Sequence, residues 1–309
     1  MRCDEISVVI PLYNKEREIA AALASVLAQT EPPREIIVVD DGSTDRSAAI
    51  VAAFTSPLLR LIRQPNAGVS AARNRAIAEA EGEWVALLDG DDEWDPRFLE
   101  KVSLLSAECP GCKAYGTGFY VRDESGALTR GDFPRRRGRT DYFAEAMRRY
   151  VLIPSAAVLH RPTVLSLGGF PEGMKLGEDQ YLWTKLARTA DVGFLPEPLV
   201  TYSRAADNRS AAIYTPERTR FSFEDLYDVS ASDESNEYVA RAAIGKALTV
   251  CVKGGTEEAR RTARFFGWTR RNRFALWKLR LLNMLPAAWR PAVMSCYNSL
   301  AWRLAKRGL

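Results

Sequence analysis

Histidine is almost missing: His160 is the only one among 309 residues. A metal site built from several imidazoles is therefore excluded, and a Ser-His-Asp relay could draw on that single ring alone. Acid–base chemistry and hard-metal binding fall to carboxylates. Cysteine is sparse as well. Five in a chain of this length make no disulfide framework and point to a reducing compartment. Cys109 and Cys112 have CxxC spacing, but a structural zinc site needs a second such pair or its equivalent, so they read as two incidental thiols in a loop. Long apolar runs are absent too. The longest stretch free of charge, Ser47 to Leu59, falls short of the roughly 18 residues that a spanning helix needs. Asp4 and Glu5 stand where a secretory leader would be basic and then apolar, so export by that route is not expected.

Acids nearly vanish from the end of the chain. Residues 241–309 hold 15 Lys plus Arg and 2 Asp plus Glu, whereas residues 1–240 hold 28 and 37. Two parts with different tasks are expected. A content of 47% hydrophobic and 27% charged residues excludes a disordered chain and fits a globular enzyme.

What is present reads first as alternating strands and helices. Ile6–Ile10 and Glu35–Val39 are apolar runs rich in β-branched residues, and Leu59–Ile62 and Glu83–Leu88 continue the series. Between them, Glu16–Ala28 and Ser70–Glu79 have helical spacing, and Ser43 or Thr44 is placed to cap a helix carrying Ile50, Val51 and Phe54. Wholly apolar strands separated by helices imply a parallel sheet covered on both faces. Ligands of such sheets sit beyond the carboxyl ends of the strands, here Pro11–Tyr13, Asp40–Gly42 and Asp89–Asp92. Farther on, Lys113–Arg122, Val151–His160, Val192–Leu195 and Leu199–Tyr202 read as strands, and 130–139 as a basic loop that is either solvated or turned to an anionic acceptor. From about Pro216 the chain reads as helical. His160 ends a strand and reads as a packed or edge residue.

Four segments could carry chemistry. Asp89-Gly90-Asp91-Asp92 offers carboxylates one residue apart at a strand end, able to chelate a hard divalent cation, and Gly90 lets the backbone approach a ligand. Asp40-Asp41-Gly42-Ser43 is a turn whose acids could accept a nucleobase N–H. Asn66 to Asn74 opens a helix with small residues and places Arg73 one turn in. Gly177-Glu178-Asp179 puts two acids at a helix start, where they either complement the helix dipole or present a general base.

Taken together and in order, SVVIPLYN, VVDDGSTD, NAGVSAARN, ALLDGDD, GGF and the acidic pair followed by Leu182-Trp183 resemble the family 2 inverting glycosyltransferases of the GT-A fold. The resemblance runs from about Ile6 to Tyr202. It implies an α/β fold with a mostly parallel, Rossmann-like sheet flanked by helices over 1–215, the nucleotide-sugar part at 1–112 and the acceptor part at 113–215, with a helical basic extension over 216–309. It also implies that Pro11 and Tyr13 pack on the nucleobase and Asp41 accepts its N–H. Arg73 would contact the base, and Asn66 would lie near the ribose or diphosphate. Asp89 and Gly90 would face the donor, Asp92 would touch the donor sugar or stand behind the acids that do, Asp91 with Asp89 would hold Mn2+ or Mg2+, and Asp179 would be the catalytic base with Glu178 and Trp183 on the acceptor side. The implied donor is a nucleotide sugar, UDP-linked for preference, and the implied acceptor a saccharide or lipid-linked saccharide in surface polysaccharide or glycolipid assembly. A nucleotide-sugar-binding scaffold without activity is one rival. Nucleotidyl transfer is another, but such enzymes begin with a Gly-rich basic phosphate loop, which Pro11-Leu12-Tyr13-Asn14 is not.

In the tail, Phe274–Leu285, Trp289, Val293, Cys296, Tyr297, Leu300 and Leu304 recur at helical spacing with Arg290, Arg303, Lys306 and Arg307 around them. The pattern suits a helix packed on the catalytic domain, or one resting on an anionic membrane from the cytoplasmic side. Nucleic acid is not an expected partner, since no recognition fold accompanies the charge.

Overall fold

The computed structural model describes residues 1–204 and 219–297. Pro216, Leu300, Arg303, Leu304, Lys306 and Arg307 of the tail reading lie outside the described residues. The chain divides into two compact units, Met1–Ala212 and Ile213–Leu309.

In the first unit the elements run β1 (Ile6–Leu12), α1 (Ile19–Leu27), β2 (Glu35–Asp40), α2 (Ser47–Ala52), β3 (Leu59–Arg63), α3 (Val69–Glu79), β4 (Trp84–Leu87), β5 (Glu93–Trp94) and α4 (Phe98–Glu108). There follow β6 (Ala114–Arg122), β7 (Leu128–Arg130), β8 (Gly138–Thr140), α5 (Tyr142–Ala146), β9 (Ala157–His160), α6 (Arg161–Ser166), α7 (Glu178–Thr189) and β10 (Val192–Ser203). One sheet joins the strands in the order β3-β2-β1-β4-β9-β6-β10-β5, with β7 on β6 and β8 on β10. β1, β2, β3 and β4 pair parallel, as do β6 and β10, and all six run the same way. The fold is thus α/β, a mostly parallel sheet flanked by helices and followed by C-terminal helices.

Every residue of β1 and β4 is buried, which is why both read as uninterrupted apolar runs: helices cover both faces of the sheet. α1 buries Ile19, Ala22, Leu23 and Val26, and α4 buries Phe98, Leu99, Val102 and Leu105, the stripe that a 3.6-residue period selects. Because β1, β2 and β4 are in parallel register, Leu12 beside Asp40 and Val9 beside Leu87, their carboxyl ends open on one side of the sheet.

Several expectations need correction. β9 enters antiparallel between β4 and β6, and only Ala157–His160 of the expected Val151–His160 strand is extended along the sheet, since a 3-10 turn occupies Pro154–Ala156. Val192–Leu195 and Leu199–Tyr202 are one strand, β10, whose pairing with β6 shifts register at Leu195 and Pro198. The basic loop 130–139 is bounded by short strands, and Arg137 and Arg139 pair with Glu108 and Asp191. α2 starts at Ser47 and is not capped by Ser43 or Thr44; the Asp45 carboxylate receives the Ser47 N–H at 2.9 Å instead. His160, by contrast, is packed as expected, edge-on against Trp84 at 5.1 Å, with Nδ1 2.8 Å from the Thr163 hydroxyl.

The second unit is helical: α8 (Asp233–Val252), α9 (Thr256–Phe265) and α10 (Arg273–Met284). α10 turns Leu276, Leu279 and Leu282 inward. The buried carboxylate of Glu237 on α8 fastens the turn before α10 by accepting the Thr269 hydroxyl, the N–H groups of Arg270 and Arg271, and the Asn272 amide. Arg290, expected on the outside, is buried; it donates to the carbonyls of Cys251, Asn283 and Leu285 and to the Thr256 hydroxyl. It therefore closes the carbonyl ends of α8 and α10, where the helix dipoles favour a cation. Arg290→Met leaves those carbonyls unpaired and should lower stability by about 2–4 kcal/mol in urea denaturation followed by circular dichroism; an unchanged midpoint would remove Arg290 from the account of this unit.

Candidate active site

The loops at the carboxyl ends of β1 and β2 are bonded to each other. Asn14, at φ +50°, accepts the Thr44 N–H through its side-chain oxygen at 2.8 Å and gives its own N–H to the Ser43 hydroxyl. The Ser47 hydroxyl accepts the Lys15 N–H at 2.7 Å. Ser43 and Thr44 are thus occupied with the neighbouring loop, which is the physical reason they do not cap α2. Tyr13 stands at the rim, partly exposed, whereas Pro11 is buried within β1 opposite Val39.

Asp41 is buried, and its carboxylate organises the approach to α3. One oxygen accepts the Gln64 amide at 2.7 Å and the Ala67 N–H at 2.8 Å; the other accepts the Gly68 N–H at 2.8 Å. The Asn66 amide returns to the Asp41 carbonyl at 2.9 Å. A carboxylate offers about four acceptor positions, so one is left for a ligand donor. Gly42 is required here: it sits at φ +76°, and a Cβ would lie 2.9 Å from the Asn66 nitrogen.

The turn after β4 divides its acids among different tasks. Asp89 accepts Arg73 Nη2 at 2.7 Å, and Asp91 is ion-paired with Lys15 Nζ at 2.8 Å. Burial raises the Asp91 carboxyl above its ordinary range, Lys15 opposes the rise, and Asp89 adds to it. Asp92 is fully buried. It accepts the Ser155 hydroxyl at 2.5 Å and the Ser203 N–H at 2.8 Å, so it ties this turn to the end of β10 and does not face the crevice. Burial, then the charges of Asp91 and Asp89, push its pKa well up. Of the two places expected for Asp92, this is the one behind the other acids and not a contact with the sugar.

Arg73 links this turn to the start of α7. Its guanidinium is buried, 2.7 Å from Asp89, 3.4 Å from Glu178, and over the Phe170 ring at 5.1 Å. Gly177, at φ +79°, turns the chain into α7, and the Asp179 carboxylate accepts the Gln180 N–H at 2.7 Å. Burial, followed by the neighbouring Asp179 charge, raises Glu178 to about 7 against the pull of Arg73. Asp179 is raised as well: burial and Asp89 act upward, the Gln180 N–H and Arg73 downward. Asp89, Asp179 and Glu178 thus share one electrostatic neighbourhood although about ninety residues separate the two segments. Trp183, expected on the acceptor side, is buried edge-on against Phe170 at 5.9 Å, so it supports the site from behind.

Among the described residues, three buried side-chain polar atoms lack a hydrogen-bond partner: Ser70 Oγ, Arg73 Nε and Trp183 Nε1. Two belong to α3 and one to α7, the helices that Arg73 connects. Orphans of this kind cost about 1–3 kcal/mol each. No cluster of three or more His, Cys, Asp or Glu with metal-holding geometry occurs among the described residues. The hard carboxylate oxygens of Asp91 and Asp89 fit a divalent cation whose other ligands come from substrate phosphates, as one or two protein carboxylates commonly suffice for such ions.

Three residues around this site carry no motif signal that sets them apart: Lys15, Gln64 and Ser155. Only their neighbours in space reveal them.

With this geometry in place, the class follows. The model of "Glycosyl transferase family 2" matches residues 7–164, and the chain belongs to that family. It is 41% identical over 107 residues to the uncharacterized glycosyltransferase YibD of Escherichia coli, covering 34% of this chain and 31% of that protein. It is 31% identical over 212 residues to the glycosyltransferase GlyA of Streptococcus pneumoniae, covering 64% and 30%. The chain thus spans about a third of the length of these relatives. Among solved structures, TarS 1–349 of S. aureus in complex with UDP-GlcNAc has the same fold, with a TM-score of 0.57 at 23% identity over 89% of this chain and 75% of that one.

Ser155 serves two partners, donating to Asp92 and accepting the Asp89 N–H at 3.0 Å. Ser155→Ala should cost about 1–3 kcal/mol in thermal or urea unfolding, because Asp92 then keeps a buried, unanswered oxygen. A loss below the error of the measurement would show that Asp92 does not depend on this bond.

Proposed function

We propose that this chain transfers a sugar from a nucleotide diphosphate, UDP for preference, to a hydroxyl of a saccharide or lipid-linked saccharide, inverting the anomeric carbon. The observation that carries the reading is the Arg73 bridge, which brings the acids after β4 to the acids that open α7. The UDP-GlcNAc complex of TarS supports a UDP-sugar donor. Surface polysaccharide or glycolipid assembly is the setting we favour. A cytoplasmic location suits the free cysteines, four of them buried.

Tyr13, Asp41 and Asn66 would receive the nucleoside, with the last acceptor position of Asp41 open to a base N–H. Asp91 and Asp89 would hold Mn2+ or Mg2+, which when bound stabilises the negative charge that gathers on the leaving diphosphate. Lys15 keeps a positive charge against Asp91 and holds that carboxylate in place. Arg73, expected at the base, is committed to Asp89 and Glu178; we assign it to positioning those two acids. Asp179 would take the proton of the acceptor hydroxyl as its oxygen bonds to the anomeric carbon and the bond to the diphosphate breaks on the opposite face. Glu178 is held by Arg73, which leaves Asp179 as the better placed of the pair.

Asp179→Asn should lower kcat at least about a hundredfold while donor affinity, measured by calorimetry, stays within a fewfold of wild type; near-normal turnover would reject Asp179 as the base. The base acts in its ionised form and burial raises its pKa, so kcat/KM should climb with pH and flatten at a higher pH than an ordinary aspartate, near 4, would give. A profile already flat from pH 5 upward would contradict a raised Asp179. Chelation by EDTA should abolish transfer and weaken donor binding, with Mn2+ or Mg2+ restoring both; full activity after chelation would remove the ion from Asp91.

A further inference from the structure

Helix α10 has two apolar faces. Leu276, Leu279 and Leu282 pack inward, while Phe274, Trp277, Leu281 and Met284 are 63%, 57%, 42% and 80% exposed. At 3.6 residues per turn the exposed four fall within an arc of about 80°, centred opposite the buried three. Phe274 and Trp277 stack with ring centroids 6.1 Å apart. Exposed Trp289 and Val293 follow on the same unit. An ordinary helix of a soluble domain presents polar residues outward, and a contiguous apolar patch of this kind marks an interaction surface.

The charges indicate what the surface meets. Arg273 and Arg280 flank the exposed stripe on one side and Lys278 on the other, Arg270 precedes it, and no acidic residue follows Glu258 in the sequence. A second copy docking face to face would set these cations against each other. A nucleic acid would answer the charge but not the apolar stripe. An anionic bilayer answers both: large apolar side chains enter the headgroup boundary while flanking Lys and Arg meet lipid phosphates. Among the described residues no helix is long and apolar enough to cross a membrane, so α10 would lie in the interface.

We therefore propose that the C-terminal unit binds anionic lipid surfaces through the Phe274–Trp277–Leu281–Met284 face of α10. This rests on α10 and its flanking charges alone and stands apart from the transfer reaction. The test is flotation of the full chain with phosphatidylcholine vesicles, with and without phosphatidylglycerol. The chain should float with the anionic vesicles and stay behind with the neutral ones. A Phe274→Ser, Trp277→Ser double variant should lose binding by about a hundredfold or more, since each large side chain removed from the apolar phase weakens partitioning roughly tenfold. Arg270→Gln and Arg273→Gln should each weaken it about fivefold. All four side chains are exposed, so the circular dichroism spectrum should not change. Three results would overturn the proposal: no flotation with anionic vesicles, flotation of the double variant equal to wild type, or a dimer in sedimentation velocity that the double variant dissolves without any vesicle binding.

Discussion

The guanidinium of Arg73 is the constraint on which the site depends. It is buried, and a buried charge persists only where opposite charge and hydrogen bonds compensate its lost hydration. Asp89 and Glu178 provide that compensation from two segments about ninety residues apart, with the Phe170 ring beneath. The turn after β4, the first part of α3 and the start of α7 are therefore fixed relative to one another by one side chain. Lys15 does a smaller version of the same work for Asp91. Five acids (Asp89, Asp91, Asp92, Glu178 and Asp179) thus gather around two resident cations. Burial, reinforced by the charges of neighbouring acids, raises the carboxyl pKa values of Asp91, Asp92, Glu178 and Asp179.

The parallel half of the sheet could be read directly, because strands buried on both faces must be apolar throughout and the turns after them must be short and polar. Hence the sequence alone points to one crevice at the ends of β1, β2 and β4, with Tyr13, Asp41 and Asp89. The direction of β9 could not be read. Ala157–His160 is a four-residue apolar stretch, and nothing in such a stretch records which way it runs against β4. β10 reads as two strands because Pro196 and Pro198 look like a break, whereas they coincide with a register shift within one continuous strand.

The site shows the same limit at the level of side chains. Acids one residue apart look alike in sequence, yet Asp89, Asp91 and Asp92 differ completely: one holds Arg73, one holds Lys15, and one is sealed between Ser155 and Ser203. Their division is decided by β10 and the β1 loop, both distant in the chain, and by α3, the helix just before β4. Trp183 lies buried beneath the site for a related reason. Its position five residues into an amphipathic helix says that it lies near the site, but the face it shares with Leu182 and Leu186 is the core.

The C-terminal unit separates the forces that fold it from the surface it presents. Glu237 gathers four residues of one turn, Arg290 closes two helix ends, and Leu276, Leu279 and Leu282 fill the interior. None of these contacts involves Phe274, Trp277, Leu281 or Met284. Folding therefore gains little from those four side chains, and leaving them in water carries a hydration penalty and a risk of aggregation. Scattered exposed apolar residues would need no account. Four on one arc, opposite the buried leucines and bordered only by cations, form a surface whose complement must be apolar beneath and anionic at its edge.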